Sequence, residues 1–128
     1  MAEYFSAKIN HSTGYNLAVK KSANKNCIKF TIDSSLKLKD EGYKLDVTPT
    51  NVSVVAKTAQ GVFYGMQTVM QLLPAEIESS KKINDITWKM PCVSIQDEPN
   101  YPYRGMMLDV CRHFYDVEFV KKQLDVMA

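Results

Sequence analysis

The sequence predicts an α+β protein, a small sheet with helices packed on one side, followed after Asn100 by a single strand, turn and helix. Three observations predict it. Tyr43, Leu45 and Val47 alternate with polar residues, as do Val52, Val54 and Ala56, and Pro49, Thr50 and Asn51 lie between the two runs as in a β-hairpin. Val62, Phe63, Met66, Val69, Met70 and Leu73 fall on one helical face. Met106, Met107, Leu108 and Val110 then form a nearly continuous apolar run, and Val117, Val120, Leu124 and Met127 recur behind it at helical spacing.

Taken in order, the chain opens with a short helix. Ala2, Phe5 and Ile9 share a face and Gly14 stands where a left-handed residue closes a helix, so the helix is expected from about Ala2 to His11. Tyr15, Leu17 and Val19 alternate with polar neighbours and predict a strand; Ile28, Phe30 and Ile32 predict another, with Ser22 to Asn26 as the turn between them. After the hairpin, Thr58 precedes the long helix and Pro74 ends it. Gly61 and Gly65 weaken an isolated helix, so their presence implies close approach of another backbone. Ala75 to Asp85 is polar and reads as an exposed loop or a frayed helix end. Trp88, Met90, Val93 and Ile95 suggest a further strand, made irregular by Pro91, and Gln96 to Tyr101 reads as a linker.

The closing unit is the most informative part. An apolar run at Met106 to Val110 suits a strand covered on both faces of a parallel sheet. Asp116 is placed to cap the helix, with Glu118 in its first turn near the positive end of the helix dipole. Parallel strands need a crossover back into the same sheet, and no second strand follows for this helix to reach. The unit therefore reads as the opening of something larger.

Composition excludes several classes. With 45% hydrophobic and 23% charged residues in a chain of 128, the protein is neither disordered nor fibrous. A net charge of +2 with scattered lysines gives no case for nucleic acid, and the pairs Lys20–Lys21 and Lys81–Lys82 suit solvated surface. No apolar run approaches the roughly 20 residues of a membrane span, and MAEYFSAKIN lacks the layout of a secretion signal. Cys27, Cys92 and Cys111 are an odd number at wide spacing and imply no disulfide framework. Cys111 and His113 lack a second ligand pair, so neither a metal nor a cofactor is expected.

Three strings carry a family resemblance. EGYKLDVTP from Glu41, GVFYGMQTVMQLLP from Gly61 and PYRGMMLDVCRHF from Pro102, in that order, resemble successive signatures of glycoside hydrolase family 20, the β-N-acetylhexosaminidases. The resemblance implies that residues 1–100 are an accessory α+β domain lacking its first strand. Residues 101–128 are then the first strand and helix of a truncated (β/α)8 barrel, whose full length is typically about 250 residues. It further implies removal of terminal non-reducing N-acetylhexosamine from glycans by a retaining mechanism in which the substrate's own 2-acetamido oxygen attacks the anomeric carbon. The glutamic acid and aspartate that assist would lie beyond Ala128. This chain is accordingly expected to hold no catalytic residue and to be inactive alone, and the parent enzyme to be exported, as family members commonly are.

Arg112 matches the arginine of the family's LDVSRHF-like string, which the resemblance makes a substrate-binding residue: it bonds hydroxyls of the terminal sugar, a task suited to a fixed fork of charged donors. Asp109 and His113 belong to the same string and are expected to support it, projecting by strand parity to the other face. Arg104 and Gly105 are assigned to stability at the strand's start, and Cys111 replaces the usual serine. Asp97 and Glu98 are an adjacent acidic pair in the linker, before the first barrel strand and with nothing nearby to bury them, and are not expected to be catalytic. A second reading is a self-contained carbohydrate-binding or interaction module, motivated by Tyr4, Tyr15, Tyr43, Tyr64, Trp88, Tyr101 and Tyr103. The unpartnered strand and helix also predict self-association.

Overall fold

Alternation in the middle of the chain builds the sheet. In the computed structural model, which describes residues 1–127, β1 (Cys27–Ile32), β2 (Tyr43–Val47), β3 (Asn51–Ala56) and β4 (Val93–Asp97) form one mixed sheet in the order β1-β3-β2-β4. The predicted hairpin is β2–β3, antiparallel, with Leu45 opposite Val54; β4 joins the far side of β2, and β1 lies parallel to β3. Pairing places Tyr43, Leu45, Val47, Val52, Val54 and Ala56 on one buried face, while Lys44, Asp46, Ser94 and Gln96 share the exposed one. Removing each buried Leu or Val side chain from water contributes about 1.5–3 kcal/mol, so this face is where the domain is held together.

Two helices cover that face. The first, α1 (Ala2–Thr13), buries Phe5 and Ile9, and the Phe5 ring meets Phe30 of β1 edge-on at 5.3 Å. Gly14 closes it in the left-handed conformation (φ 71°), donating its N–H to the Asn10 carbonyl. The helix runs past the expected end at His11 because Ser12 and Thr13 are buried and satisfied: the Ser12 hydroxyl donates to the Ile77 carbonyl at 2.7 Å and that of Thr13 to Ile9 at 2.7 Å.

The second, α2 (Ala59–Gln71), starts at Thr58, whose hydroxyl accepts the Gly61 N–H at 3.3 Å. Its inner face is Val62, Met66, Val69 and Met70. Gly61 and Gly65 answer to close packing: a Cβ on Gly65 would strike the Val54 side chain and the Tyr43 ring, and one on Gly61 would strike the Gly42 carbonyl. Tyr43 shares a 2.6 Å hydrogen bond with Thr68 of this helix, and burial pushes its phenol above the ordinary value.

Several expectations are corrected. Tyr15, Leu17 and Val19 form no strand; Leu17 donates its N–H to the Asn10 side chain at 2.8 Å, and its carbonyl accepts from Ser6, so side chains of α1 take the place of a ladder. Ala75 to Asp85 is not wholly an exposed loop, since Ala75–Glu78 form a 3₁₀ turn that buries Ile77 at 2% exposure. Trp88 and Met90 pack half-buried against the core without pairing, and the strand begins only at Val93, beyond Pro91 and its missing donor. Gln96 and Asp97, assigned to a linker, continue β4 opposite Lys44 and Tyr43.

Candidate functional site

Beyond β4 the chain carries the residues singled out for sugar binding. Met106 to Val110 do not form the predicted strand: no strand runs beside them among the described residues, and a strand exists only through its ladder. The chain instead turns at 110–112. One oxygen of Asp109 accepts the backbone N–H groups of Cys111 at 2.8 Å and Arg112 at 3.1 Å, the local bond that makes aspartate a turn residue. Its other oxygen lies 3.4 Å from Nε of Arg112. The parity expectation therefore fails here, because the turn brings Asp109 and Arg112 together.

The Arg112 side chain is 87% exposed, and its two terminal nitrogens meet no partner among the described residues. His113 is exposed and makes no hydrogen bond to either neighbour. The final helix, α3 (Val117–Met127), starts where expected, with the Asp116 carboxylate accepting the Phe119 N–H at 2.8 Å, and it buries no residue.

The acidic pair has a structural occupation. Glu98 accepts the Lys39 backbone N–H at 2.9 Å, and the Lys39 ammonium donates to the Pro99 carbonyl at 3.0 Å. Asp97 ends β4 across from Tyr43. A wide cleft of about 1010 Å³ between α1, residues 16–27 and the β1 edge includes none of Asp97, Glu98, Asp109, Arg112 or His113 in its lining. Among the described residues no group of His, Cys, Asp and Glu could hold a metal ion, and no helix is long and apolar enough to cross a membrane. The aromatic residues put forward for sugar stacking are dispersed: Tyr43 is buried, Tyr64 and Trp88 are half-buried, and exposed Tyr4, Tyr15, Tyr101 and Tyr103 lie on separate segments or in the strand-free linker.

A cluster that the sequence reading missed lies at the start of this segment. Arg104 donates from Nη1 to Glu41 at 3.0 Å and to the Tyr101 carbonyl at 2.8 Å, and from Nη2 to the Tyr64 hydroxyl at 3.1 Å. Its guanidinium carbon sits 5.6 Å from the centre of the Tyr64 ring. The hydrogen bond from Arg104 holds the Glu41 carboxyl below its ordinary range, and the same bond raises Arg104. Glu41 and Arg104 are 63 positions apart, and nothing in local spacing joins them.

A helix-backed mixed sheet leading into an arginine-bearing segment is, in this case, part of a glycoside hydrolase. Residues 1–98 match the model of glycosyl hydrolase family 20, domain 2, and residues 101–128 that of the glycosyl hydrolase family 20 catalytic domain, so the chain belongs to family 20. A beta-hexosaminidase of Porphyromonas gingivalis is 52% identical over 103 residues, covering 80% of this chain and 13% of that protein. A chitooligosaccharidolytic beta-N-acetylglucosaminidase of Ostrinia furnacalis is 34% identical over 94 residues, covering 70% and 15%. The solved family 20 beta-N-acetylhexosaminidase of Streptomyces coelicolor A3(2) superposes with a TM-score of 0.87 at 36% identity, over 97% of this chain and 24% of that one. The chain thus spans a small share of the length of the relatives it matches.

Proposed function

We propose that this chain supplies the accessory domain, residues 1–100, and the entry to the catalytic domain, residues 101–128, of a β-N-acetylhexosaminidase that removes terminal non-reducing N-acetylhexosamine from glycans. The observation that carries the reading is the pair of consecutive family matches, one on each side of Asn100. In this reading Arg112 binds sugar hydroxyls through the terminal nitrogens that Asp109 leaves free, and Asp109 is a positioning residue that holds the turn and the guanidinium. His113, which follows the turn, is kept as a supporting residue on the strength of its place in the same string. The chemistry is substrate-assisted retaining hydrolysis, and its acid and acetamido-orienting aspartate come from outside this chain. The sheet domain supports the barrel and performs no step.

The test is turnover of an aryl N-acetyl-β-glucosaminide. Purified 128-residue chain releases no chromophore, and a longer protein containing the rest of the catalytic domain does. Activity of the chain alone that persists after Arg112→Ala would sink the reading. Titration with chitin oligosaccharides leaves Trp88 fluorescence flat; a saturable change would favour the binding-module reading instead. Exposed Met107, Phe114, Val117 and Val126 are covered by the remaining barrel in the complete hydrolase and by a second copy when the chain is alone. Light scattering then finds dimers or larger species that a version ending at Asn100 does not form.

A further inference from the structure

We propose that the corner at Asp40 to Gly42, together with Tyr64 of α2, is a latch for the segment after β4, and that Arg104, held in it, sets the direction in which the residues carrying Arg112 leave the sheet. The sugar-binding role of Arg112 rests on the reading above; the latch does not.

The corner is fixed by contacts that do not involve Arg104. The Thr58 hydroxyl donates to the Asp40 carbonyl, and Lys57 pairs with the Asp40 carboxylate at 2.8 Å, which ties the corner to the start of α2. The Gly42 carbonyl packs against Gly61, leaving no room there for a Cβ on Gly61. The Lys39 N–H donates to Glu98 at 2.9 Å, which ties the corner to the end of β4. Into this frame Arg104 brings a planar fork that bonds Glu41 with one terminal nitrogen and Tyr64 with the other, while the cation lies over the Tyr64 ring. A lysine cannot reproduce that combination. The bond from Arg104 to the Tyr101 carbonyl closes the bend locally. Beyond it, residues 105–107 are exposed, Leu108 and Asp109 are half-buried, and α3 buries nothing; among the described residues the hydrogen bonds after Arg104 are local, so the fork is the last hydrogen-bonded hold of the sheet domain on this segment.

Limited trypsin digestion of the native chain tests this with an internal control. Trypsin must take an arginine side chain into its own pocket; Arg104 is engaged, whereas Arg112 is 87% exposed. Glu41→Ala raises the rate of cleavage after Arg104 about fivefold, the scale of a partly exposed ion pair, and leaves cleavage after Arg112 unchanged. Glu41→Gln, whose amide oxygen still accepts, falls between wild type and Glu41→Ala. Tyr64→Phe keeps the ring and removes one acceptor, giving a smaller rise at Arg104, and it decides the matter if Glu41→Ala does not fold. Unchanged cleavage after Arg104, or an equal rise at Arg112, overturns the latch. Loss of the sugar-binding role for Arg112 would leave these rates as they are, so the two failures are distinguishable.

Discussion

The guanidinium of Arg104 donates to the carboxylate of Glu41 at 3.0 Å, joining the segment after β4 to the turn before β2. This contact makes the attachment of that segment sensitive to acid. Arg104 lowers the pKa of Glu41 below its ordinary 4.5 in the folded chain. A depressed carboxylate stabilises the fold fully above its unfolded value and loses that contribution as pH falls through the lower, folded one. An NMR titration of the Glu41 side-chain carboxyl shows a midpoint below 4.5, and Arg104→Gln moves it upward. Equal midpoints in the two proteins would mean that solvent screens the pair.

Gly65→Ala destabilises the domain by about 1–3 kcal/mol, because overpacking forces β3 and α2 apart. The new methyl group meets Val54 and the Tyr43 ring, which the sheet cannot withdraw. Urea denaturation followed by circular dichroism measures the loss; an unchanged midpoint would place α2 farther from β3.

Thr58→Ala removes both the cap of α2 and the bond to the Asp40 carbonyl. The expected cost is about 1–2 kcal/mol for a lost N-cap hydroxyl. Thr58→Ser restores most of it, since the hydroxyl is what matters. The thermal midpoints of the two variants separate a capping effect from a packing one.

Arg112→Ala leaves the stability of this chain within about 0.5 kcal/mol of wild type, as an exposed surface substitution does. In the complete hydrolase the same change lowers kcat/KM by about ten- to a hundredfold, the worth of a charged hydrogen bond to substrate. Thermal unfolding and steady-state kinetics read the two halves separately. A fall in stability with kcat/KM intact would make Arg112 a structural residue.

Glu98→Gln in the complete hydrolase retains hydrolysis, because Glu98 is occupied with the backbone of Lys39. A loss of kcat to the level of a missing general acid would return the Asp97–Glu98 pair to the active site.

Local pattern determined a good deal of this protein. Alternation marked β2 and β3, the helical period and Thr58 marked α2, Gly14 marked the end of α1, and Asp116 marked the start of α3. Each of these is decided within about one or two turns of chain, where sequence neighbours are also spatial neighbours. Three family strings pointed to the hydrolase family by resemblance, which the two family matches bear out; the role of Arg112 in the last string stays a proposal.

Tertiary structure alone decided which strand-like runs became strands. Tyr15 to Val19, Cys27 to Ile32 and Met106 to Val110 all carry apolar patterns suited to strands, yet only Cys27 to Ile32 is one. It has β3 beside it, whereas side chains of α1 occupy the first run and no strand among the described residues accompanies the last. Periodicity records which side of a segment seeks cover; it does not record who provides the ladder. The pairing of Glu41 with Arg104 was hidden for the same reason. A long-range polar contact leaves no period in the sequence, and only the folded corner brings its members together.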